Sequence, residues 1–276
     1  MPMRVVHTVA QLREVLAAER GAAFVPTMGN LHEGHLQLVR HAATLGRPVV
    51  ASIFVNRLQF GAGEDFDRYP RTLQDDTAAL REVGADVLFA PDEAQIYPEP
   101  QVLFIDPPPE ADQLCGAHRP GHFRGVCTVV AKLFNMVRPA VAVFGEKDFQ
   151  QLWLIRRMVE QLAIPVRIVG HPTARAGDGL ALSSRNRYLS QGERQLAPAL
   201  YRALCQVRDG MQAGHWEGSA LAAQAARSLA ESGWQVDYLE VRDAATLAPP
   251  DARTRRWVVL AAARLGNTRL IDNLVF

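Results

Sequence analysis

The stretch PTMGNLHEGHLQLV, Pro26–Val39, constrains the fold of this chain more than any other. Ala22–Thr27 reads as a buried strand, Met28, Gly29 and Asn30 as a turn, and Glu33–Leu45 as a helix. The apolar positions Leu36, Leu38, Val39 and Ala42 have roughly helical spacing, and Gly46 and Pro48 stop the helix. Val49–Val55 follows as a β-branched run of the kind a central parallel strand needs. Strand, helix and strand in that order form a βαβ unit with a right-handed crossover.

The alternation continues. Thr72 is read as the cap of a helix running through Leu80 and Val83 to Gly84, and Val87–Phe89 as the next strand. Val102–Ile105 is a short apolar run between prolines. A helical stripe of Val126, Val129, Val130, Leu133 and Val137 marks Gly125–Val137, with Lys132 off the stripe. Val141–Phe144 reads as a strand, Phe149–Leu162 as a helix and Val166–Val169 as a strand. The pattern implies an α/β fold, an open, doubly wound parallel sheet of Rossmann-like type over residues 1–173. From Ala174 a polar Gly/Asp/Ser-rich connection leads to a capping-box pattern at Ser190–Glu193. Helices are expected over Glu193–Met211 and Ser219–Ser232, then strands over Gln235–Val241, Trp257–Ala263 and Arg269–Val275. Residues 174–276 are therefore expected to form a smaller α+β domain with an antiparallel sheet.

Composition narrows the function classes. A formal net charge of +1 gives no sequence-wide basic excess for nucleic acid or an acidic membrane surface. No run approaches the ~18 apolar residues that span a bilayer, and no charged and apolar leader follows Met1. Cys115, Cys127 and Cys205 are widely spaced, odd in number and without zinc spacing, which points to reduced thiols and a cytoplasmic protein. Only Lys132 and Lys147 are lysines among the 30 basic residues, so a lysine marks a position where a compact ammonium is wanted.

In HEGH the histidines lie at i and i+3 and project from one face of the first helical turn. That end also presents unpaired backbone N–H groups and the positive end of the helix dipole, a site for an anion such as phosphate. The metalloprotease motif needs histidines at i and i+4, and a GxGxxG dinucleotide loop is absent, since Gly29 and Gly34 do not fit it.

Three further segments leave strands or loops where a parallel sheet places its ligands. In FVNRLQF, Asn56 and Gln59 are suited to orienting hydroxyl or carboxylate groups, although an Asn turn beside a solvent-facing Gln has the same spacing. In GEKDFQQL, Gly145 ends a strand and Glu146, Lys147 and Asp148 precede a helix. Lys147 there either reaches phosphate oxygens or joins a solvated capping cluster. In LSSRNRYLS, Ser183, Ser184 and Arg185 complement a polyphosphate, in a composition common to surface loops. HFRG, His122–Gly125, adds a His and an Arg before a helix, and GAGEDFDRYP, Gly61–Pro70, reads as a mobile lid.

Taken together, PTMGNLHEGH, FVNRLQF, HFRGVCTVVAKLF, GEKDFQQL and DGLALSSRNRYL resemble the pantoate–β-alanine ligases, the pantothenate synthetase family, in family order from Pro26 to Leu189. HEGH alone is similar to the HxGH motif shared with adenylyltransferases and class I aminoacyl-tRNA synthetases; the combination is far more specific. The resemblance implies that pantoate and ATP give a bound pantoyl adenylate and pyrophosphate. The amine of β-alanine then attacks to release pantothenate, a coenzyme A precursor, and AMP. By the same likeness ATP is bound by Met28, Gly29, Asn30, Leu31, His32, Glu33, Gly34 and His35, by Gly145, Glu146, Lys147 and Asp148, and by Ala174, Leu182, Ser183, Ser184 and Arg185.

Gln59 and Gln151 resemble the pantoate-binding glutamines, with Gln59 also near β-alanine and Asn56 beside it. His32, His35 and Lys147 take the catalytic roles. His35 is either a proton donor or a phosphate stabiliser. Mg²⁺ is expected with ATP, its protein ligands unassigned, and a homodimer is expected from the family. Two positions depart from it. Arg57 stands where the family has proline, which frees φ at the start of the lid segment. Ala174 replaces larger apolar residues near the adenine, which loosens packing there.

Overall fold

The structure, a computed structural model, describes residues 2–214 and 217–276. The chain divides into two compact units. The first runs to Glu146 and resumes over Gln150–Pro172; the second comprises Lys147–Phe149 and Thr173–Phe276.

In the first unit the strands are β1 (Arg4–Val6), β2 (Ala23–Thr27), β3 (Val49–Ile53), β4 (Val87–Phe89), β5 (Val141–Gly145) and β6 (Arg167–His171). All pairings are parallel, in the order β1-β4-β3-β2-β5-β6. The helices alternate with them: α1 (Val9–Val15), α2 (Glu33–Leu45), α3 (Leu73–Glu82), α4 (Glu93–Ile96), α5 (Cys115–His118), α6 (His122–Val137) and α7 (Phe149–Gln161). This is the Rossmann-like sheet that the βαβ pattern implies.

Each strand of the centre is apolar on both faces because each face is covered. Ala23 and Val25 of β2 face Leu38, Val39 and Ala42 of α2, together with Ala51, Leu88 and Val143 from neighbouring strands. Phe24, one residue out of step, turns to the other face and meets Phe134 of α6 edge-on at 6.4 Å. Phe134 in turn meets Phe144 of β5 at 6.4 Å. Burying an aromatic of this size is worth about 1.5–3 kcal/mol over leaving it exposed, so α2 and α6 are held firmly on opposite faces.

The order places a topological switch between β2 and β5. From β2 the chain crosses to β3 on one side, whereas β5 lies on the other. The β2–β5 ladder runs only over Ala23–Val141 and Phe24–Ala142, while β2 pairs with β3 at all five of its residues. The carboxyl ends of β2 and β5 thus part after two pairs, which opens the crevice where sheets of this kind bind ligands.

Among the described residues of the second unit, β7 (Gln235–Asp243), β8 (Trp257–Leu265) and β9 (Thr268–Val275) form an antiparallel sheet in that order. Leu200, Leu204, Val207 and Met211 of α9 (Ala199–Gln212) and Ala222, Ala225 and Leu229 of α10 (Gly218–Glu231) pack on its inner face. This is the small α+β unit expected from helices followed by adjacent strands.

The structure corrects several boundaries. The single helix expected over Glu193–Met211 is two, α8 (Gln191–Leu196) and α9, because Pro198 cannot donate to the carbonyl a turn before it. α6 begins a turn earlier than expected, at His122, so HFRG is helical. Thr72 stands at the N-cap of α3, but no backbone N–H of the helix binds its side chain; its hydroxyl donates to Asp76. β1, only three residues long, is a strand that the sequence pattern does not announce.

At the end of β6, His171 Nδ1 lies 3.0 Å from His41 Nδ1 of α2, so one ring must donate and the other accept. Burial, and then the neighbouring His41, lower the His171 pKa, against an opposing pull from Glu146. A folded-state pKa below the unfolded value of about 6.5 means that this contribution to stability is full above that pH and lost as pH falls through it. Thermal melts from pH 7 to pH 5 should therefore show a steeper loss of Tm in the natural chain than in His171→Asn. Parallel curves would show that the pair does not act in this way.

Candidate active site

The end of β2 is tied down before the turn begins. The Thr27 hydroxyl donates to the Ser52 carbonyl at 2.7 Å and accepts from the Gly29 N–H at 3.2 Å. Gly29 has φ +80° and Asn30 φ +51°, two successive residues in the left-handed region. The Asp76 side chain on α3 stabilises this turn. Its carboxylate accepts from Asn30 N–H at 2.9 Å, from Leu31 N–H at 2.8 Å and from the Thr72 hydroxyl at 3.1 Å. Asp76 is 3% exposed. Sequence reasoning misses it because its partners lie 46 and 45 residues away and its neighbour Asp75 has the same local context.

His32 and His35 then cap α2 in an unusual way. Gly34 N–H donates to His32 Nδ1 at 3.2 Å, and His32 N–H donates to His35 Nδ1 at 3.3 Å. This is a reciprocal capping box built from two imidazoles, whose ring centroids lie 4.1 Å apart. A backbone N–H donates only to an unprotonated nitrogen, so both rings have an accepting Nδ1 and, when neutral, carry the proton on Nε2. Each ring thus has an N–H donor on the edge opposite the cap.

Glu33 follows His32 as the first residue of α2. Its carboxylate pairs with Arg40 at 2.6 Å in an exposed position, and the Arg40 hydrogen bond is the main cause of its lowered pKa. Within the turn the Gly34 N–H is committed to the His32 cap.

Asn56 and Gln59 are buried, 1% and 8% exposed, and are joined by a hydrogen bond from Asn56 Nδ2 to Gln59 Oε1 at 3.0 Å. Gln59 Nε2 lies 3.2 Å from Met28 Sδ, which brings the FVNRLQF segment to the first turn. The Gln59 carbonyl is clamped by His122 Nδ1 at 2.8 Å, and Arg119 leads from that histidine to a bidentate pair with Glu64. The Gly61–Pro70 segment is anchored at that pair and by Phe66, which packs on Phe60 at 5.3 Å under the Arg57 guanidinium. Arg57 thus makes a cation–π contact with the Phe66 ring. Gln151 lies on α7 next to Gln150, whose amide is spent on Cys115, Glu110 and Gln113. Both glutamines stand on the first turn of the helix.

Gly145 closes β5 at the switch point and Glu146 follows it. In the second unit, Lys147 Nζ lies 3.1 Å from Asp148 Oδ2, and the Lys147 carbonyl accepts from Asn273 Nδ2 at 2.9 Å. The neighbouring Asp272 forms a buried bidentate pair with Arg175, at 2.6 and 2.8 Å. Arg175 also stacks over Tyr201 and donates to the Gly179 carbonyl, which fixes the hairpin closed by Leu182 N–H to Ala174 O at 2.9 Å. Ser183 caps the following 3₁₀ turn by accepting from Arg185 N–H, which orders Ser184 and Arg185 within it. Asp272 and Asn273 of β9 thus brace two segments assigned to phosphate, a link no motif announced. Lys132 has a different fate: it donates to Gln101 and covers the Tyr97 ring.

A parallel sheet parted at its switch point, with a helix N-terminus and two imidazole donors beside it, is an α/β fold whose crevice suits an anion. Comparison with known proteins makes this specific. The family model described as pantoate-beta-alanine ligase matches residues 4–275. A pantothenate synthetase of Thiobacillus denitrificans is 57% identical over 99% of this chain and 96% of its own length. The crystal structure of pantothenate synthetase from Thermus thermophilus superposes with TM-score 0.93 at 49% identity, covering 99% of each chain. A pantoate-beta-alanine ligase from Francisella tularensis, solved with beta-gamma ATP and beta-alanine, matches with TM-score 0.83 at 34% identity over 99% of this chain and 97% of its own. The chain belongs to the pantoate–β-alanine ligase family, and it is a ligase.

Proposed function

We propose that this protein condenses pantoate with β-alanine at the expense of ATP, through a pantoyl adenylate. The pantoate carboxylate oxygen attacks the α-phosphorus as its bond to pyrophosphate breaks. The free amine of β-alanine then attacks the acyl carbon, the bond to AMP breaks, and a proton is released with pantothenate. The observation that carries the reading is the histidine capping box at the switch point, supported by relatives of the same family and by the Francisella complex with its nucleotide and β-alanine.

In-line displacement needs stabilisation of developing charge more than covalent assistance. A neutral imidazole protonated only on Nε2 is a hydrogen-bond donor and a negligible acid. To give up a proton productively, His35 would first have to become imidazolium, and protonation of Nδ1 would break its cap to His32 N–H. This cap favours His32 and His35 as stabilisers of the phosphates over His35 as a proton donor. Lys147 and the Ser183–Arg185 loop supply further donors to the polyphosphate; Met28–His35, Gly145, Glu146, Asp148, Ala174 and Leu182 complete the assigned ATP set. Gln59, Asn56 and Gln151 hold pantoate.

Among the described residues no three His, Cys, Asp or Glu side chains converge as a metal cage. Mg²⁺ is expected with the phosphates of ATP, held largely by water and substrate oxygens, where it would neutralise charge. No helix of the described residues is long and apolar enough to cross a membrane; a cytoplasmic homodimer completes the reading, with sedimentation as the check on assembly.

The test is an assay with ATP, pantoate and β-alanine. AMP and pantothenate should appear only when all three are present, and ATP with pantoate alone should give enzyme-bound adenylate and pyrophosphate. Release of a stable adenylylated product would make the protein an adenylyltransferase, and ATP binding without pyrophosphate release a mere nucleotide-binding module.

A further inference from the structure

Gln59 ends a chain of hydrogen bonds whose direction is set at its far end. The Gly125 carbonyl of α6 can only accept, so Asn56 must face it with its amide nitrogen, at 3.1 Å. The second hydrogen on that nitrogen goes to Gln59 Oε1 at 3.0 Å. Asn56 Oδ1, left facing the other way, receives the Tyr97 hydroxyl at 2.7 Å. With Oε1 committed, the remaining edge of Gln59 is its NH₂ group, now 3.2 Å from Met28 Sδ. A thioether is a weak acceptor, readily exchanged for a substrate oxygen.

The far end is rigid. A Cβ on Gly125 would collide with the Leu58 carbonyl, so glycine there permits the close approach of α6 that brings its carbonyl to Asn56. The Tyr97 ring is held by Phe54, 6.1 Å away between centroids, and by the Lys132 ammonium 4.8 Å from its centre. Burial, and then Glu93, raise the phenol pKa far above its ordinary value, so the hydroxyl keeps its proton to donate.

We propose that Tyr97 is a positioning residue that fixes the amides of Asn56 and Gln59 in one orientation. Gln59 then meets the hydroxy acid as a donor, and its subsite selects a substrate oxygen over an ammonium. This rests on the assignment of Gln59 to pantoate. Tyr97 touches neither substrate nor nucleotide in this scheme; it removes the alternative in which both amides flip together and present an acceptor.

The experiment uses the full-length protein and steady-state kinetics with each substrate varied. Tyr97→Phe keeps the ring and loses the donor. It should raise KM for pantoate about tenfold, roughly the worth of one buried hydrogen bond, and leave kcat and KM for ATP near those of the natural chain, with Tm lowered only by what one unsatisfied Asn56 oxygen costs. Gln59→Glu keeps an oxygen for Asn56 but replaces the outward donor by an acceptor, and should weaken pantoate at least about a hundredfold. The relay is overturned if Tyr97→Phe leaves KM for pantoate within twofold. It is equally overturned if both KM values, kcat and Tm all worsen together, as a merely structural role predicts, or if Gln59→Glu still binds pantoate well. Failure of the natural chain to make pantothenate would instead overturn the reaction on which the relay rests, so the two failures are told apart.

Discussion

Replacing His35 or Lys147 by alanine should slow formation of the pantoyl adenylate by two or more orders of magnitude, about 3 kcal/mol or more of lost transition-state stabilisation. The proposed reason is the same for both, since each is assigned as a donor to charge that grows on the phosphates. The histidine change has a second component, because His35 Nδ1 also caps the His32 N–H. Loss of a cap costs about 1 kcal/mol of stability, too little to account for a hundredfold loss of rate. Single-turnover release of pyrophosphate from ATP and pantoate, measured beside a thermal melt, separates the two. Lys147→Ala leaves the Asn273 contact, which is to its backbone, and loses the half-exposed pair with Asp148, worth at most about 1 kcal/mol. Near-natural single-turnover rates in either variant would remove that residue from the chemistry.

Asp76→Ala should be the most damaging change outside the groups assigned to substrate. The buried N–H of Asn30 and the half-buried N–H of Leu31 would lose their acceptor, and each donor left unsatisfied costs about 1–3 kcal/mol. Asn30 would also lose what holds a non-glycine residue at φ +51°. The expected result is a fall in stability of roughly 2–6 kcal/mol on that basis, together with a loss of activity larger than the remaining folded fraction explains. Denaturant unfolding gives the first and activity per folded molecule the second. A variant of normal stability and normal activity would show that the turn holds itself.

The fold was largely legible because the central strands and helices obey local rules. Val49–Ile53 and Val141–Gly145 are continuous apolar runs, and α2 starts and stops where its caps say it should. The misses occur where local signals are weak or compete. β1 is too short to show a period, and Pro198 splits an otherwise unbroken helical stripe. Val102 and Leu103 look apolar enough to be covered, yet each is 80% exposed in an irregular segment. The residues nearest the proposed chemistry were visible as motifs, because turn glycines, histidines and amides stand out in an apolar context. Their supports were not. Asp76, Tyr97, Asp272 and Asn273 reach partners 41 to 126 residues distant, some of them backbone atoms, and no spacing along one segment encodes that. The two lysines illustrate the limit: rarity singled out both, but Lys132 braces Tyr97 while Lys147 stands in the turn after β5.

The interval between His32 and His35 is the interval between the N-cap and N3 positions of a helix. Serine and glutamate would satisfy the same cap but leave no N–H on the outer side. Among ordinary side chains, imidazole combines an acceptor and a donor on opposite edges of one rigid neutral ring. The motif therefore has a grammar independent of its ligand: change the interval and the helix start frays, change the ring and the anion loses its donors. A designer wishing to move such an anion site to another scaffold would transplant the helix start whole, with the carboxylate that holds the turn before it, rather than two histidines alone.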